Sequence, residues 1–499
     1  MMKNGIKKSI LTSCLLMTMF STHTWASNDS LVEMTDNELS SIQGQALLSL
    51  GFTAPNTSNP LQNFGYYKLG LEAKMELNAN IRALQLGCGG RNGPDGCDID
   101  MENVSLSGPP DGKLADGTPT WSKGRANTSA VITNPFIEFA IKNPNSASTR
   151  EIAGFRLSAE EILGYLTAGT RNDIDGNGLS TGGGINTFSG FIKVGETPVN
   201  AFTQDAMFGT TADQLIYAKV RALGLDRVAF TNSNKMTSGS GSYQAPAGAQ
   251  GSENLYHYNG NPIWGINVPR QNVSFNFPET IVTGSRMKQL NLVVKDVPIP
   301  TIAIGADNGG IAMTLDESIL GLVDEATFFM GAKGTTSAGC AAVINKTNCS
   351  YITNLKANVQ VKQNFNLIHN LPISSGGYLA LQNTALQWPG VDPNDIAQPG
   401  WWLSFKDPLD FGALNPTTGI PMHDVLPQIA TFITDYLSNN RIDLSLGEAF
   451  GALFGTPIYK GIGDVRLADD ARAIMVLENL LLDGHQKPVS NCFGGLKFC

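Results

Sequence analysis

Residues 67–83 alternate strictly between apolar and polar side chains, and this run limits the possible folds more than any other feature of the sequence. The nine odd-numbered positions from Tyr67 to Ala83 are apolar, and the eight between them are Gly, Asn or charged residues. A period of two is the geometry of a β-strand with one covered and one wet face. Ordinary strands have about five or six residues, so the run predicts a long, bent strand in a large antiparallel sheet, with its apolar side buried.

Shorter alternating runs at 136–141 and 355–367 indicate more strands, and the composition agrees. The chain has 499 residues, of which 54 are Gly, 25 are Pro and only 15% are charged, against about 25% charged in typical soluble domains. Its 42% apolar content is enough to build a core. We therefore expect a mainly β fold of large antiparallel sheets or a sandwich, with a few covering helices and three local disulfide loops.

Besides a helix near the amino terminus, described below, three helices are predicted from capping patterns. Ser158 with Glu161 predicts a helix over 162–166, Asp424 predicts one over 425–437, and Ser445 with Glu448 predicts one over 449–454. The two late helices are expected to cover a sheet, and docking to a membrane or a partner is the less favoured alternative.

Residues 1–26 have the pattern of a secretory signal peptide. Three lysines precede an apolar stretch over 10–20 that is too short to span a bilayer, and Ala26 ends a plausible cleavage site. Lipidation at Cys14 is a minor alternative. No later stretch predicts a transmembrane helix, so we expect an exported chain, at the cell surface or outside the cell, or in the periplasm or at the outer membrane.

The charge balance excludes one class of partner. Lys and Arg number 34 against 43 acidic residues, and removing residues 1–26 takes away three lysines and no acid. The mature chain would thus carry 31 basic residues and a net charge of −12. Affinity for nucleic acid depends on clustered basic residues that contact phosphates, so no nucleic-acid partner is expected.

Six cysteines remain after residue 26, and they fall into three local pairs. An even count in an exported chain favours disulfides. Metal ligation is the weaker alternative, because no CxxC motif or nearby His accompanies the pairs. The expected bonds are Cys88–Cys97, Cys340–Cys349 and Cys492–Cys499.

Residues 34–45 read MTDNELSSIQGQ, in which Thr35 and Glu38 form a capping box and Gly44 ends the helix. This segment resembles the MTDxELSxxxGQ segment of exported proteobacterial surface proteins, some of which are labelled pilus- or fimbria-associated. The resemblance implies a role with surface fibre subunits or with a host or surface ligand. The alternative is a capped helix that any fold could contain.

Asp173, Asp175 and Asn177 match the first half of a calcium-binding loop, in which alternate oxygen ligands wrap the ion. The twelfth position, Gly184, supplies no carboxylate, so a solvated turn is the alternative. Calcium is the only cofactor that the sequence suggests.

Trp388, Trp401 and Trp402 lie close together and could bind a ligand or form an interface. A core role is favoured, because Leu403 and Phe405 continue the strand. No zinc-protease, nucleophile-elbow or phosphate-loop motif is present, so no catalytic residue is predicted.

These features predict five segments: a signal peptide at 1–26, a capped helix at 27–48, a β-rich domain with the candidate calcium loop at 49–230, a Ser/Gly-rich linker at 231–255, and a second β-rich domain with late helices at 256–499. The expected function is that of a non-enzymatic cell-surface protein with an adhesive or fimbria-associated role. The alternatives are a secreted polysaccharide hydrolase and a periplasmic or outer-membrane lipid-binding scaffold.

Overall fold

The computed structural model describes most of residues 48–491. Within that range the description leaves out residues 209–211, 215, 231–236, 239–255, 259–260, 264–265, 269, 305–311, 316–326, 331–339, 341–348, 455, 457 and 483. The predicted signal peptide, nearly all of the 27–48 segment, most of the 231–255 linker and the Cys492–Cys499 pair lie outside the described residues.

Strands dominate the described chain. In its first half they are β1 (Leu48–Thr53), β2 (Gly65–Leu71), β3 (Lys74–Leu77), β4 (Ala79–Leu86), β5 (Ile99–Ser107), β6 (Gly112–Lys113), β7 (Pro119–Thr120), β8 (Ala130–Lys142), β9 (Glu151–Thr167), β10 (Ile185–Val194), β11 (Thr197–Phe202), β12 (Ala206–Phe208), β13 (Tyr217–Ala222) and β14 (Leu225–Phe230). In its second half they are β15 (Thr237–Ser238), β16 (Tyr256–Tyr258), β17 (Asn261–Ile263), β18 (Ile266–Val268), β19 (Asn272–Phe277), β20 (Thr280–Met287), β21 (Gln289–Pro298), β22 (Ile302–Ile304), β23 (Ala312–Leu315), β24 (Thr327–Met330), β25 (Ser350–Thr353), β26 (Lys356–Asn364), β27 (Asn370–Ile373), β28 (Gly377–Gln382), β29 (Gly400–Leu409), β30 (Ile442–Asp443), β31 (Ile458–Lys460), β32 (Gly463–Arg466) and β33 (Arg472–Glu478).

A twelve-stranded sheet organises the molecule. Its main path runs β1-β2-β8-β9-β28-β29-β10-β5-β4, while β3, β20 and β27 pair with β8, β10 and β9. Smaller sheets have the orders β30-β13-β14-β23-β24-β31, β21-β26-β33, β22-β25-β32, β15-β16-β17, β11-β19, β12-β18 and β6-β7. The prediction of a mainly β fold is confirmed. The sheets are mixed and not purely antiparallel, because β10 runs parallel to β29 and β26 runs parallel to β33.

Strand β9 joins two parts of the large sheet. Its first part pairs with β8 and β28, and its last residues pair with β27 and β5. The ladder from β9 through β28, β29, β10 and β5 thus returns to β9. Strands from both sides of the predicted 231–255 linker share this sheet, so the linker does not separate two sheets. The described residues from Leu50 onward belong to one compact unit.

Two hydrophobic clusters flank the large sheet. The larger one contains Phe188, Phe365 and Phe405, and the late helices also contribute to it. The smaller one lies against the first strands of the sheet and centres on Tyr66, Trp388 and Trp402. The rings of Tyr66 and Trp388 lie 5.7 Å apart, centroid to centroid.

The predicted helices have three different outcomes. Helix α1 (Leu426–Asn439) packs against β13, but Asp424 does not cap it, because the N-cap position is Val425 and no side chain caps the helix. Helix α2 (Leu446–Leu453) begins at Ser445 with the expected capping box to Glu448. The helix predicted over 162–166 is wrong, because these residues belong to β9 and pair with β8 and β27. Single 3₁₀ turns occur at Pro60–Gln62, Arg125–Asn127, Ala212–Gln214, Phe365–Leu367 and Gly484–Gln486. In the described part of the chain, neither α-helix has the length and apolar character needed to cross a bilayer.

Disulfides join Cys88 to Cys97 and Cys340 to Cys349, as predicted. The first loop is also held by Arg286 from β20. Its guanidinium donates to the Asp98 carboxylate at 3.0 Å and to three backbone carbonyls of the loop, those of Gly87, Gly93 and Asp95. The Asp98 side chain is only 4% exposed. A buried ion pair therefore reinforces the covalent closure of this loop.

Candidate functional site

Alternation along five paired strands places mostly polar side chains on one face of the large sheet. Lys68 on β2 lies opposite Glu138 on β8, and Glu138 lies opposite Arg156 on β9. Beside this row, Phe136, Ser158, Tyr378 and Ser404 form a second row across β8, β9, β28 and β29. Residues on directly opposed positions share a face, so the two rows form the floor of a cavity, which we call the polar pocket.

The polar pocket has a volume of 710 Å³. Its far wall is the segment over 389–395, and Lys193 of β10 closes one side. This volume lies within the range of about 300–1,000 Å³ that is typical of small-molecule sites.

An ion pair between Arg156 and Glu138 occupies the floor of the polar pocket. Nε of Arg156 donates to Oε2 of Glu138 at 2.6 Å, and Nη2 donates to the carbonyl of Pro389 at 2.9 Å. Both charged side chains are less than a tenth exposed. The guanidinium also lies within 6 Å of the rings of Phe136, Tyr378 and Trp388, a distance at which cation–π attraction operates.

A second buried carboxylate, Asp395, lies beside this floor. It accepts hydrogen bonds from Nε1 of Trp402 at 3.0 Å and from the hydroxyl of Ser404 at 2.6 Å. The Tyr378 hydroxyl is buried close enough to Asp395 and Ser404 for both to shift its pKa, but it forms no hydrogen bond of good geometry with either. A buried hydroxyl without a well-formed hydrogen bond costs about 1–3 kcal/mol, so a bound molecule that reached this group would recover part of that cost.

Charges around the polar pocket balance. The basic residues that line it are Lys68, Arg156, Lys193 and Lys406. The acidic residues that line it are Glu138, Glu160, Asp392 and Asp395. Besides the ion pair on the floor, Lys193 lies 2.9 Å from Asp392 and Lys68 lies 3.5 Å from Glu160, both measured between nitrogen and oxygen.

Burial and pairing shift the pKa values of these groups in opposite directions. Burial raises the pKa of Glu138, and the charge of Arg156 partly opposes that effect. Burial also raises the pKa of Asp395, against the hydrogen bonds from Ser404 and Trp402. At the rim, the backbone amide of Asn394 and then Lys193 lower the pKa of Asp392, and the hydrogen bond to Asp392 raises that of Lys193.

The opposite face of the same sheet is apolar and open to solvent. Two cross-strand rows on β2, β8, β9, β28 and β29 contain only apolar residues: Tyr67–Phe139–Phe155–Leu381–Trp401 and Leu69–Ile137–Leu157–Leu379–Leu403. Leu379, Trp401 and Leu403 pack against the large core. The rows become more exposed toward β2.

Strand β1 extends this surface at the end of the sheet. The ring of Phe52 lies 4.8 Å from that of Tyr67, whereas a β-carbon added at Gly51 would lie 3.4 Å from that of Lys68, on the other side. Leu50 and Phe52 therefore share the side of Tyr67. We call the exposed part of this surface the apolar face; its side chains are between 38% and 84% exposed, and they are Leu50, Phe52, Tyr67, Leu69, Ile137, Ile152 and Leu157.

The apolar face corrects a prediction from the sequence. The run over 67–83 forms three strands, β2, β3 and β4, and not one long strand. Its apolar side was predicted to be buried, but Tyr67, Leu69, Met75, Leu77 and Ile81 are exposed. The covered face of β2 is the opposite one, where Trp388 packs on Tyr66. Alternation separates two faces, but it does not determine which of them is covered.

The candidate calcium loop forms a turn closed by its own hydrogen bonds. Asp173 accepts from the backbone amide and hydroxyl of Thr181, and Asp175 accepts from the amides of Asn177 and Leu179. These bonds lower the pKa of both carboxylates. Among the described residues, no group of three or more His, Cys, Asp or Glu side chains is arranged to hold a metal ion, so calcium binding here stays a prediction.

Trp388 and Trp402 are core residues, each 1% exposed, while Trp401 is half-buried at the covered end of the apolar rows. Its ring meets that of Phe155 edge-on at 6.1 Å. The predicted aromatic group is therefore split between the two faces of the sheet.

The polar pocket was not predicted from the sequence. Its lining combines Glu138 and Arg156 with Tyr378 and Asp395 from more than two hundred residues further along. The one local signal is a lone charge in each of the apolar stretches FIEFAI and GFRLS. Comparison with protein-family models, with curated proteins and with solved structures finds no match.

Proposed function

We propose that the chain is an exported, non-enzymatic surface protein that attaches to a surface fibre or another surface protein through its apolar face. The apolar face is the observation that carries this proposal. Contiguous exposed apolar surfaces of this kind mark interaction sites. The signal-like residues 1–26 and the two disulfides support export.

Covering the apolar face would provide enough free energy for attachment. Seven apolar side chains are exposed there, and burying the exposed part of each contributes roughly 1 kcal/mol. The sum of about 7 kcal/mol, before the cost of association, suits a contact within a larger assembly. Strand β1 ends the main path of the sheet among the described strands and holds no charge and no proline, so it lacks the usual protection of an edge.

A matched pair of variants tests this proposal. Leu157→Lys places a charge in the middle of the apolar face, and Leu225→Lys places the same charge on an exposed leucine of the β13–β14 hairpin. When the variants are expressed in the native host cell, we expect the amount of Leu157→Lys recovered with sheared surface fibres to fall at least about tenfold. A tenfold fall corresponds to a loss of about 1.4 kcal/mol in binding free energy. Leu225→Lys should be recovered like the unmodified chain. Equal recovery of the two variants would refute the proposal.

A lipid-binding scaffold is the second candidate, because the exposed apolar residues of β2, β3 and β4 would also suit acyl chains. Flotation with vesicles of phosphatidylethanolamine and phosphatidylglycerol separates the two candidates. Vesicle binding that Leu157→Lys abolishes, without recovery in the fibre fraction, would favour the lipid scaffold and reject the fibre contact.

A further inference from the structure

The polar pocket lies on the opposite side of β8 and β9 from the apolar face and has no part in the attachment proposed above. We propose that it binds a neutral saccharide without cleaving it. This inference does not depend on the apolar face, since successive residues of a strand point to opposite sides.

The balance of positive and negative side chains in the polar pocket favours a neutral ligand. Four basic and four acidic residues line the polar pocket, and three of the basic groups already have an acidic partner within 3.5 Å. A free anion or cation would have to compete with these pairs. A hydroxyl group, by contrast, can donate to a paired carboxylate or accept from a paired ammonium without breaking the pair, because each of these groups has more than one hydrogen-bonding position.

The remaining features fit a polyhydroxylated ring. Tyr378 lines the cavity and is 6% exposed, and its hydroxyl forms no hydrogen bond of good geometry with its neighbours Asp395 and Ser404. The half-buried ring of Phe136 adds an apolar part to the floor, and a sugar offers both C–H surfaces for such a ring and hydroxyls for the polar groups. The open volume of 710 Å³ has room for more than one ring.

The two buried carboxylates are held in ways that favour binding over hydrolysis. A glycosidase needs one carboxyl group to donate a proton and a second to attack or activate water. Glu138 is fixed by Arg156, and both oxygens of Asp395 already accept hydrogen bonds, one from Trp402 and one from Ser404. Both side chains serve here as parts of a rigid floor.

Sugar titration tests this inference. The full-length mature protein is titrated with maltotriose, cellotriose and triacetylchitotriose, and binding is measured by saturation-transfer NMR and calorimetry. We expect at least one of these neutral sugars to bind with a Kd of about 1 mM or tighter. Tyr378→Phe keeps the ring and removes the hydroxyl, and it should weaken binding by about fivefold or more. Tyr165→Phe is the matched control, because Tyr165 is equally buried but packs on Trp121 outside the polar pocket.

A second variant, Lys193→Met, keeps the side-chain stem at the rim and should also weaken binding. The Leu157→Lys variant of the apolar face should bind sugar normally, which separates this inference from the attachment proposal. The inference is overturned if none of the three sugars binds at about 10 mM, if Tyr378→Phe and Lys193→Met both bind like the unmodified protein, or if trigalacturonate binds in preference to the neutral sugars. Release of reducing sugar would overturn the non-catalytic assignment.

Discussion

Arg286 provides the sharpest test of how the first disulfide loop is held. The variant Arg286→Met keeps the length of the side chain and removes one ion pair and three hydrogen bonds to backbone carbonyls. Removing one partner of a buried ion pair costs about 3–5 kcal/mol, because the other charge stays buried without compensation. Asp98 retains the amide donors of Asn92 at 2.8 Å and Trp401 at 3.0 Å. We therefore expect a loss at the lower end of this range, about 3 kcal/mol.

Urea unfolding under non-reducing conditions, followed by tryptophan fluorescence, measures this loss. Arg466→Met is the control, because Arg466 and Asp469 form an ion pair that is more than half exposed, and such pairs contribute about 0–1 kcal/mol. Adding Asp98→Asn to Arg286→Met should recover part of the loss by neutralising the stranded carboxylate. The reasoning is refuted if Arg286→Met costs no more than Arg466→Met, or if Asp98→Asn lowers stability further in the double variant.

Three further predictions concern other parts of the fold. Burial raises the pKa of Asp395 in the folded state, so the folded protein binds the carboxyl proton more tightly than the unfolded chain, and the contribution of Asp395 to folding stability falls as pH rises above the ordinary value of 3.8. Thermal melts should therefore show that the difference in melting temperature between Asp395→Asn and the unmodified protein changes with pH across this range. A difference that stays constant with pH would contradict this prediction. Ser445→Ala removes the cap of α2 and should cost about 1 kcal/mol, visible as faster hydrogen exchange at the Glu448 amide with the rest of the chain as an internal control. Replacing Cys88 and Cys97 by Ser should cost about 2–3 kcal/mol in the chain-entropy model, and an unchanged urea midpoint would show that Arg286 alone closes the loop.

Local patterns predicted the β character of the chain and the cap of α2, but they failed where pairing across the sheet dominated. Ser158 and Glu161 have the spacing of a capping box, yet Ser158 lies in β9 and its hydroxyl donates to the carbonyl of Gly377 at 2.7 Å. The seventeen residues of β9 pair with four other strands. This pairing outweighs the preference of a short capped segment, because helix propensity is a weak local term.

The candidate site shows the same limit. Alternation in β8 placed Glu138 and Ile137 on opposite faces, but only the paired strands show that Arg156 lies opposite Glu138. Residue spacing carries no information on contacts over hundreds of positions, so neither the polar pocket nor the exposure of Leu157 could be derived from it. The disulfides between near neighbours were predictable for the opposite reason, since their partners are close along the chain.

The order in which strands enter the large sheet has a consequence for the timing of folding. β8 and β9 lie within the first third of the chain, but their sheet continues through β28 and β29, which end at residue 409. When only the first three hundred residues have been synthesised or exported, the strands that carry Tyr378 and Trp402 are therefore still missing. The part of the large sheet that contains β8 and β9 thus remains without β28 and β29 until the chain has been synthesised or exported as far as residue 409.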